Sequence, residues 1–275
     1  MHEKEIPLLD DWAAAEGWNP GLSDLRIASQ ADPNCFVALR DDHGMAGGGS
    51  IFSYDGRFGF MGLFIIREDL RGQGLGTVLW HWRRDALLRR LEPGAVIGMD
   101  GVFDMVPFYE RGGFKAAYRD LRYQGIATGR RSGRVVSLSM ADFEDIEAFD
   151  RIFVPAPRKA FLKGWLGQTG AQTVGIREDG EIVAYGVVRP CRMGFKIGPL
   201  FAHRADLGGD VLGELMARIV GHQVQIDVPE PNTAGVDLAR NFDLSMSFGC
   251  VRLYHGPDPC LPVDRIFGVT SLEFG

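Results

Sequence analysis

Three glycines and an arginine lie within six consecutive residues in the first third of this chain. The stretch reads Arg71-Gly72-Gln73-Gly74-Leu75-Gly76. Glycine lets the backbone approach a ligand closely because it carries no Cβ atom. If a helix begins here, its first amides lack intrahelical partners, and these amides and the helix dipole favour a bound anion. Together with the positive charge of Arg71, the stretch predicts a cradle for a pyrophosphate.

Two common phosphate-binding motifs do not fit this spacing, and one simpler interpretation stays open. A Walker loop requires a lysine before its serine or threonine, whereas Gly76 precedes Thr77 here. A dinucleotide fingerprint requires G-x-G-x-x-G, and the spacing in this chain is G-x-G-x-G. The simpler interpretation is a glycine turn that joins a strand to a helix and binds no ligand.

The segments on both sides of the cradle favour a strand before it and a helix after it. Phe58 to Ile66 is apolar and rich in aromatic and β-branched residues, which indicates a buried strand. The predicted helix has one apolar face, at steps of four, three and four residues: Leu75, Leu79, Trp82 and Ala86. Its arginines fall largely off that face: Arg83, Arg84, Arg89 and Arg90.

These residues resemble R/Q-x-x-G-x-G/A, the acyl-CoA signature of the GNAT N-acetyltransferases. A second segment, Pro107–Phe114, resembles the F-Y-x-x-x-G-F ending of the GNAT domain. The resemblance covers nearly all of residues 6–123, although only MHEKE precedes the first predicted helix, where the family has a strand. It implies acetyl-CoA as the cosubstrate and no metal. The residues that it assigns to acetyl-CoA binding are Phe64, Ile65, Ile66, Arg71, Gly72, Gln73, Gly74, Leu75, Gly76 and Thr77.

The resemblance also implies direct transfer of an acetyl group to an amine. The backbone amide near Ile66 would polarise the thioester carbonyl, and Tyr109 would protonate the departing sulfur. Asp100 is the candidate for the base or for holding the acceptor ammonium, with Asp104 as the second candidate; Asp100 is equally well explained as the start of an Asp-Gly turn. Trp18 could line the acceptor cleft, although a packed tryptophan is the favoured interpretation.

Composition and charge narrow the class of protein. The 275 residues are 45% hydrophobic and 24% charged, which is typical of a globular protein, and the net charge of -6 argues against nucleic acid as a partner. The four cysteines show no C-x-x-C spacing, so reduced thiols are expected rather than a metal site or disulfides. No signal peptide and no membrane-spanning run is evident. We therefore expect a cytoplasmic protein with no membrane partner.

The second half of the chain repeats the order of elements of the first. We predict an α+β or α/β protein of two tandem GNAT-like domains, each a mixed, mostly antiparallel sheet flanked by helices. The predicted divisions are a catalytic domain at 1–125, a linker at 126–133 and a degenerate domain at 134–275. Residues 202–210 hold Asp206 and Asp210 instead of the glycine signature, so the second copy is expected to be catalytically silent. The chain ending, Arg252-Leu253-Tyr254-x-Gly256 followed by residues 264–275, resembles the C-terminal domain of the YitH-type acetyltransferases.

Two functions from different classes remain at this stage. The first is an acetyl-CoA-dependent N-acetyltransferase whose second domain shapes the acceptor cleft. The second is a CoA-binding sensor or interaction module that does not turn over, for which Tyr109 would have no use. The acceptor is expected to be a small-molecule amine rather than a protein. The sequence identifies neither this amine nor the oligomeric state.

Overall fold

The computed structural model describes residues 1–275, and the first half contains four helices and seven strands. A short 3-10 turn, Glu3–Glu5, rather than a strand, precedes the first helix. In chain order the elements are α1 Ile6–Ala15, α2 Asp24–Ala31, β1 Phe36–Asp41, β2 Gly44–Ser50, β3 Phe52–Tyr54, β4 Phe58–Met61, β5 Ile65–Ile66, α3 Leu75–Leu88, β6 Val96–Val102, α4 Val106–Arg111 and β7 Lys115–Ile126.

The second half follows a similar order of elements, but it has a strand before its first helix and a further strand near its end. Its elements are β8 Val136–Leu138, α5 Phe143–Asp150, α6 Lys159–Leu166, β9 Gln172–Glu178, β10 Glu181–Pro190, β11 Phe195–Ala202, α7 Ala205–Ala217, β12 Gln223–Pro229, α8 Thr233–Asn241, β13 Ser245–His255 and β14 Ile266–Gly268. None of the helices in the chain combines the length and the apolar character that crossing a bilayer requires.

One eleven-stranded sheet runs through both halves, because each half contributes a strand to the other. Its order is β3-β4-β6-β13-β7-β12-β11-β10-β9-β8, with β14 paired to β11. The long strand β13 pairs with β6 of the first half, and β7 pairs with β12 of the second half, both antiparallel. The two predicted domains therefore share hydrogen bonds rather than packing as separate bodies.

Packing and charge join the two halves as well. The largest hydrophobic cluster contains 33 buried residues from both, among them Phe52 and Phe60 with Phe161 and Phe274. A fully buried ion pair, Asp24 of α2 with Arg189 of β10, has two N–O distances of 2.9 Å. The segment 126–133, predicted to be a linker, is hydrogen-bonded to the second half through Ala127. The predicted domain division itself stays a prediction.

In the first half, the central strand separates from its neighbour. β4 pairs with β6 in parallel up to Met61 and Met99, and β5 then pairs only with β2. Leu63 lies at the divergence with φ +53°, a conformation that residues with a side chain rarely adopt. The result is a V-shaped gap between β5 and the end of β6.

In the second half, the equivalent gap is filled by the chain itself. β11 pairs with β12 up to Ile197 and Ile226, and β14 then pairs with β11 beyond that point. The Val269 N–H donates to the Asp227 carbonyl of β12 at 2.9 Å, so the segment bonds both walls of the gap. Phe267 packs against α7 at Gly208.

The predicted apolar face of α3 is partly wrong. Its buried residues are Leu79, Trp80, Arg83, Ala86 and Leu87, whereas Trp82 is 52% exposed. The buried positions follow the i, i+1, i+4, i+7, i+8 pattern of a core-facing helix. The prediction failed because it assumed that only apolar residues of α3 are buried, whereas Arg83 occupies the central buried position.

Candidate active site

The gap between β5 and β6 opens into a cavity of about 530 Å³. One wall is formed by residues 61–66, and Met99, Asp100 and Val102 lie on the other. The Arg67 N–H donates to the Ala46 carbonyl, and alternate residues of an antiparallel strand bond to the same neighbour. Because Ile66 precedes Arg67, its N–H faces away from β2 and towards the gap. The gap therefore offers an extended ligand a strand edge with free donors.

The glycine turn leaves a run of backbone amides without protein partners. The N–H groups of residues 72–76 donate to no protein group. Gly72 has φ +76° and Gly74 φ +83°, and a Cβ atom at either position would meet nothing within 4 Å. These two glycines are thus required by backbone conformation, not by contact with neighbouring protein. The turn ends where α3 begins at Leu75, which adds the helix dipole to the free donors.

Two contacts hold the Arg71 side chain beside this turn. Its Nε donates to the Ile66 carbonyl at 3.0 Å, and its Nη2 pairs with Glu16 at the end of α1. The side chain remains 48% exposed. Arg71 therefore ties the end of β5 to the glycine turn while keeping a solvent-facing positive charge beside the free amides.

Tyr109 of α4 borders the same cavity. Its ring packs on Trp80 with a centroid separation of 4.8 Å and lies over Gly101, where a Cβ atom would be 2.6 Å from the ring. Its hydroxyl makes no hydrogen bond to the protein. Burial raises the pKa of Tyr109 to about 12, opposed by the positive charge of Arg83. The phenol is therefore protonated at neutral pH and can donate to a ligand in the cavity.

Arg83 is a fully buried cation without a carboxylate partner. Its Nη2 donates to the Ser50 and Gly62 carbonyls, both at 2.6 Å, which fastens β2 to the divergence of β4 and β5. Its Nε and Nη1 have no partner, and the guanidinium lies 5.2 Å from the ring centre of Phe64. Burial lowers the pKa of Arg83 to about 10. The group stays charged at neutral pH and places positive potential beside Tyr109.

Asp100 lies on the cavity wall, but its carboxylate is engaged by an arginine from the second half. Arg252 of β13 bonds both of its oxygens, at 2.7 and 2.8 Å. Asp120 lies 3.5 Å from the same guanidinium, and neither of its carboxylate oxygens has a hydrogen-bond partner. Burial raises the pKa of Asp100 and that of Asp120, while Arg252 opposes both shifts.

The same group includes a thiol. Atoms of Asp100, Asp120 and Cys250 that could ligate a metal lie within 4.8 Å of one another. Arg252 already supplies a positive charge to two of these three groups. With Arg252, these groups form a buried cluster that ties β6, β7 and β13 together beside the cavity, and the Asp120 oxygens in it make no hydrogen bond.

Trp18 also lines the cavity, and both halves of the chain hold it in place. Its carbonyl accepts hydrogen bonds from Arg122 Nη1 at 2.8 Å and from Lys196 Nζ at 3.0 Å. Arg122 in turn forms a buried bidentate pair with Asp227. The loop after α1 is therefore positioned by β7, β11 and β12.

The structure brings most of the sequence-predicted site residues to one cavity. Those on its wall are Trp18, Phe64, Ile65, Ile66, Arg71, Gly72, Gly76, Asp100 and Tyr109. The remaining members of the glycine turn lie beside the cavity without lining it: Gln73, Gly74, Leu75 and Thr77. Asp104 lies exposed in the turn before α4 and is not on the wall. The catalytic and binding roles of these residues stay predictions.

Sequence reasoning missed the residues that the second half contributes. Phe248 and Cys250 of β13 and Leu272 and Glu273 of the final segment line the cavity. No local pattern marks them, because they reach the site through strand exchange and a long-range chain path. Arg83 was also missed, although the helical spacing of its neighbours would have placed it on the buried face.

Family comparisons agree with this geometry. The sequence pattern of the acetyltransferase (GNAT) family matches residues 5–114, and that of an acetyltransferase (GNAT) domain matches residues 146–268. The chain therefore belongs to the GNAT acyltransferase superfamily and contains two GNAT domains in tandem.

Individual relatives span much or all of the chain. Holothin acyltransferase of a Pseudoalteromonas strain is 25% identical over 276 residues, covering 99% of this chain and 92% of that protein. The uncharacterized N-acetyltransferase YitH of Bacillus subtilis is 23% identical over 183 residues, covering 65% of this chain and 63% of that protein.

Solved structures show the same fold. A putative acetyltransferase from Pyrococcus horikoshii superposes with a TM-score of 0.82 at 20% identity, covering 99% of this chain and 93% of that one. A tandem GNAT protein from the clavulanic acid biosynthesis pathway superposes with a TM-score of 0.61 at 13% identity, covering 93% and 96%. The tandem arrangement predicted from the sequence is thereby confirmed.

Proposed function

We propose that this protein transfers an acetyl group from acetyl-CoA to a primary amine of a small molecule. The observation that carries the proposal is that one cavity joins a free strand edge at Ile66, a turn with five unpartnered amides at 72–76, and the Tyr109 hydroxyl. The turn fits a pyrophosphate, and the strand edge fits the extended pantetheine arm. A small-molecule acceptor is favoured because a relative covering nearly the whole chain is named for acylating holothin.

The roles of the residues follow from the chemistry of aminolysis. Acetyl-CoA supplies an activated acyl thioester. The Ile66 N–H, which faces the gap, donates to the thioester carbonyl and stabilises the negative charge that develops on its oxygen. Tyr109 gives its proton to the departing sulfur. Arg83 adds a fixed positive charge beside Tyr109, where negative charge develops.

For Asp100 we propose a supporting role on the acceptor wall. Both of its oxygens accept hydrogen bonds from Arg252, so its carboxylate is committed to an ion pair. That pair joins β6 to β13 and keeps Cys250 and Phe248 on the wall. The second half would in this way shape the acceptor side of the cleft, as the sequence predicts.

The test is release of free CoA thiol from acetyl-CoA in the presence of a panel of primary amines. Amine-dependent release, with an acetylated product seen by mass spectrometry, would support the proposal. The alternative function is a CoA-binding sensor, and it predicts tight CoA binding by calorimetry with no thiol release for any amine. Comparing acetyl-CoA with propionyl- and butyryl-CoA in the same assay would define the acyl donor.

A further inference from the structure

Three carboxylates line the cavity, and they differ in whether a cation already neutralises them. Glu16 pairs with Arg71, and Asp100 forms a bidentate pair with Arg252. Glu273, in the final segment of the chain, has no ion pair at all. An ionised carboxylate is costly to bury unless a charge or hydrogen bonds compensate it. Glu273 is therefore the cavity acid that no protein cation contacts directly.

Local contacts hold Glu273 in a fixed orientation and leave one of its oxygens free. The Ser271 hydroxyl donates to Oε2 at 2.5 Å, and the Glu273 N–H donates to the Ser271 hydroxyl at 3.0 Å. The residue is only 3% exposed. Its other oxygen, Oε1, accepts no hydrogen bond from the protein, although the residue borders the cavity. The side chain is thus preorganised with one acceptor available to a ligand.

The main chain of Glu273 lies against the point where the strands separate. A Cβ atom at Gly62 would lie 2.3 Å from the Glu273 carbonyl oxygen, so only glycine permits this approach. The Gly62 carbonyl also accepts the hydrogen bond from Arg83. The final segment is therefore packed against the residues that lead into β5, at the border of the cavity that would hold the thioester.

Two neighbouring cations, Arg122 and Lys196, attract Glu273 without contacting it. Arg122 directs its guanidinium to Asp227 and to the Trp18 carbonyl. Lys196 donates to the same carbonyl. Neither forms an ion pair with Glu273, although the charges of both attract it at longer range, while the nearby Asp100 repels it. The position in direct contact with the free carboxylate oxygen is therefore left to a ligand. Most of the residues that line the cavity are hydrophobic, among them Trp18, Met61, Leu63, Met99 and Phe248, and Arg122 also lines it.

We propose that Glu273 is the acceptor-amine site: it binds the ammonium group of a primary amine with an apolar body and takes a proton from it. This inference rests on the proposed acyltransferase function and specifies its substrate. The second half of the protein thus supplies a catalytic residue to the active site of the first. The apolar wall selects an aromatic or aliphatic amine over a strongly polar one.

The proton balance of the step is complete with the groups named. Of the three ammonium protons, one passes to Glu273 and then to solvent, which leaves a neutral amine. Its lone pair forms the C–N bond while the C–S bond breaks and the electron pair goes to sulfur. A second proton leaves the nitrogen and, through solvent, reaches the Tyr109 phenolate, which restores the proton that Tyr109 gave to sulfur. The third remains on the amide product.

Benzylamine and aniline provide a matched pair of probes, because both carry one aromatic ring but only benzylamine is protonated at neutral pH. For Glu273→Gln, we expect kcat/KM for benzylamine to fall about a hundredfold, the usual contribution of a positioned proton acceptor. The value for aniline should change only a few-fold, and the KM for acetyl-CoA should stay the same. Glu230→Gln is the control, since Glu230 forms an exposed ion pair with Arg119 and does not line the cavity.

The outcomes separate this inference from the proposed function. Equal losses for both amines, no loss for benzylamine, or a native enzyme that acetylates aniline but not benzylamine would each overturn the Glu273 site and leave the acyltransferase function standing. Absence of thiol release with every amine, including those of the wider panel, would instead reject the proposed function. Thermal unfolding and acetyl-CoA binding of Glu273→Gln show whether the variant remains folded.

Discussion

The two clefts of this molecule start from the same strand arrangement. β4 leaves β6 after Met61 and the gap remains open, whereas β11 leaves β12 after Ile197 and β14 enters the gap. Eight residues, 67–74, separate β5 from α3, but only two, 203–204, separate β11 from α7. The first connection is long enough to curl around an anion, and the second is not.

Charge separates the two turns as clearly as length does. Residues 72–76 present free amides and no acidic side chain, whereas Asp206 lies in the first turn of α7 and pairs with Arg204 and Arg134. No residue from 202 to 210 has positive φ. The second turn therefore carries its own anion at the helix terminus. The comparison teaches that the second half kept the cleft and filled it with its own chain.

The largest expected effect comes from a substitution in the segment that fills the second cleft. Phe267 is 2% exposed and packs on α7, so Phe267→Ala should lower the free energy of unfolding by about 3–5 kcal/mol. Denaturant titration measures this loss, and Val220→Ala, at a position that is 59% exposed, should change it by about 0.5 kcal/mol or less. Calorimetry should still find one acetyl-CoA per chain. Binding of a second acetyl-CoA by the variant would contradict the filled-cleft interpretation.

The open cleft is tested next by Tyr109→Phe. This change removes only the hydroxyl, so kcat should fall on the order of a hundredfold with little change in acetyl-CoA affinity. Because the pKa of Tyr109 is about 12, its ionisation should not reduce kcat of the native enzyme until the pH approaches that value. Tyr185→Phe in the second half, whose hydroxyl bonds the buried Asp150, is the matched substitution and should affect stability rather than the reaction. Unchanged kcat in Tyr109→Phe would remove the phenol from the mechanism.

Features of the open cleft that depend on neighbouring residues could be predicted from the sequence, whereas features that depend on distant contacts could not. The strand, turn and helix of the open cleft are contiguous, so local spacing is enough to predict the glycine turn, whereas Tyr109 was assigned from the resemblance of residues 107–114 to the end of the GNAT domain. The final segment reaches Gly62 across about two hundred residues of sequence, and no periodicity or turn residue signals that contact. Strand exchange is invisible for the same reason, since β7 and β13 have the pattern of closing strands whichever half they join. The burial of Arg83 was not predicted because charged residues rarely occupy core positions.

A smaller effect is expected from one methyl group added at a glycine of the first turn, with a glycine of α7 as the control. Gly74→Ala places a side chain at φ +83°, which costs about 1–2 kcal/mol and should raise the Kd for acetyl-CoA about tenfold. Gly209→Ala lies inside α7 with ordinary helical φ, and its Cβ atom would be 3.3 Å from Leu238. It should leave acetyl-CoA binding unchanged. Calorimetric titration of both variants with acetyl-CoA measures the difference. Equal Kd values for Gly74→Ala and Gly209→Ala would show that the turn at 72–76 is not the anion site.

The smallest effect is expected from the arginines of the two turns. Arg71→Gln loses the ion pair with Glu16 and the charge beside the free amides, but Arg71 is about half exposed and its charge is screened by water and salt. We therefore expect the Kd for acetyl-CoA to rise only a few-fold, from a loss of about 1 kcal/mol or less. Arg204→Gln should have no effect, because Arg204 bonds Glu178 and Asp206 beside the filled cleft. Raising the ionic strength should shrink the difference between native protein and Arg71→Gln. A difference that persists at high salt would mean that Arg71 acts by holding the Ile66 carbonyl and Glu16 in place, not by attracting the anion.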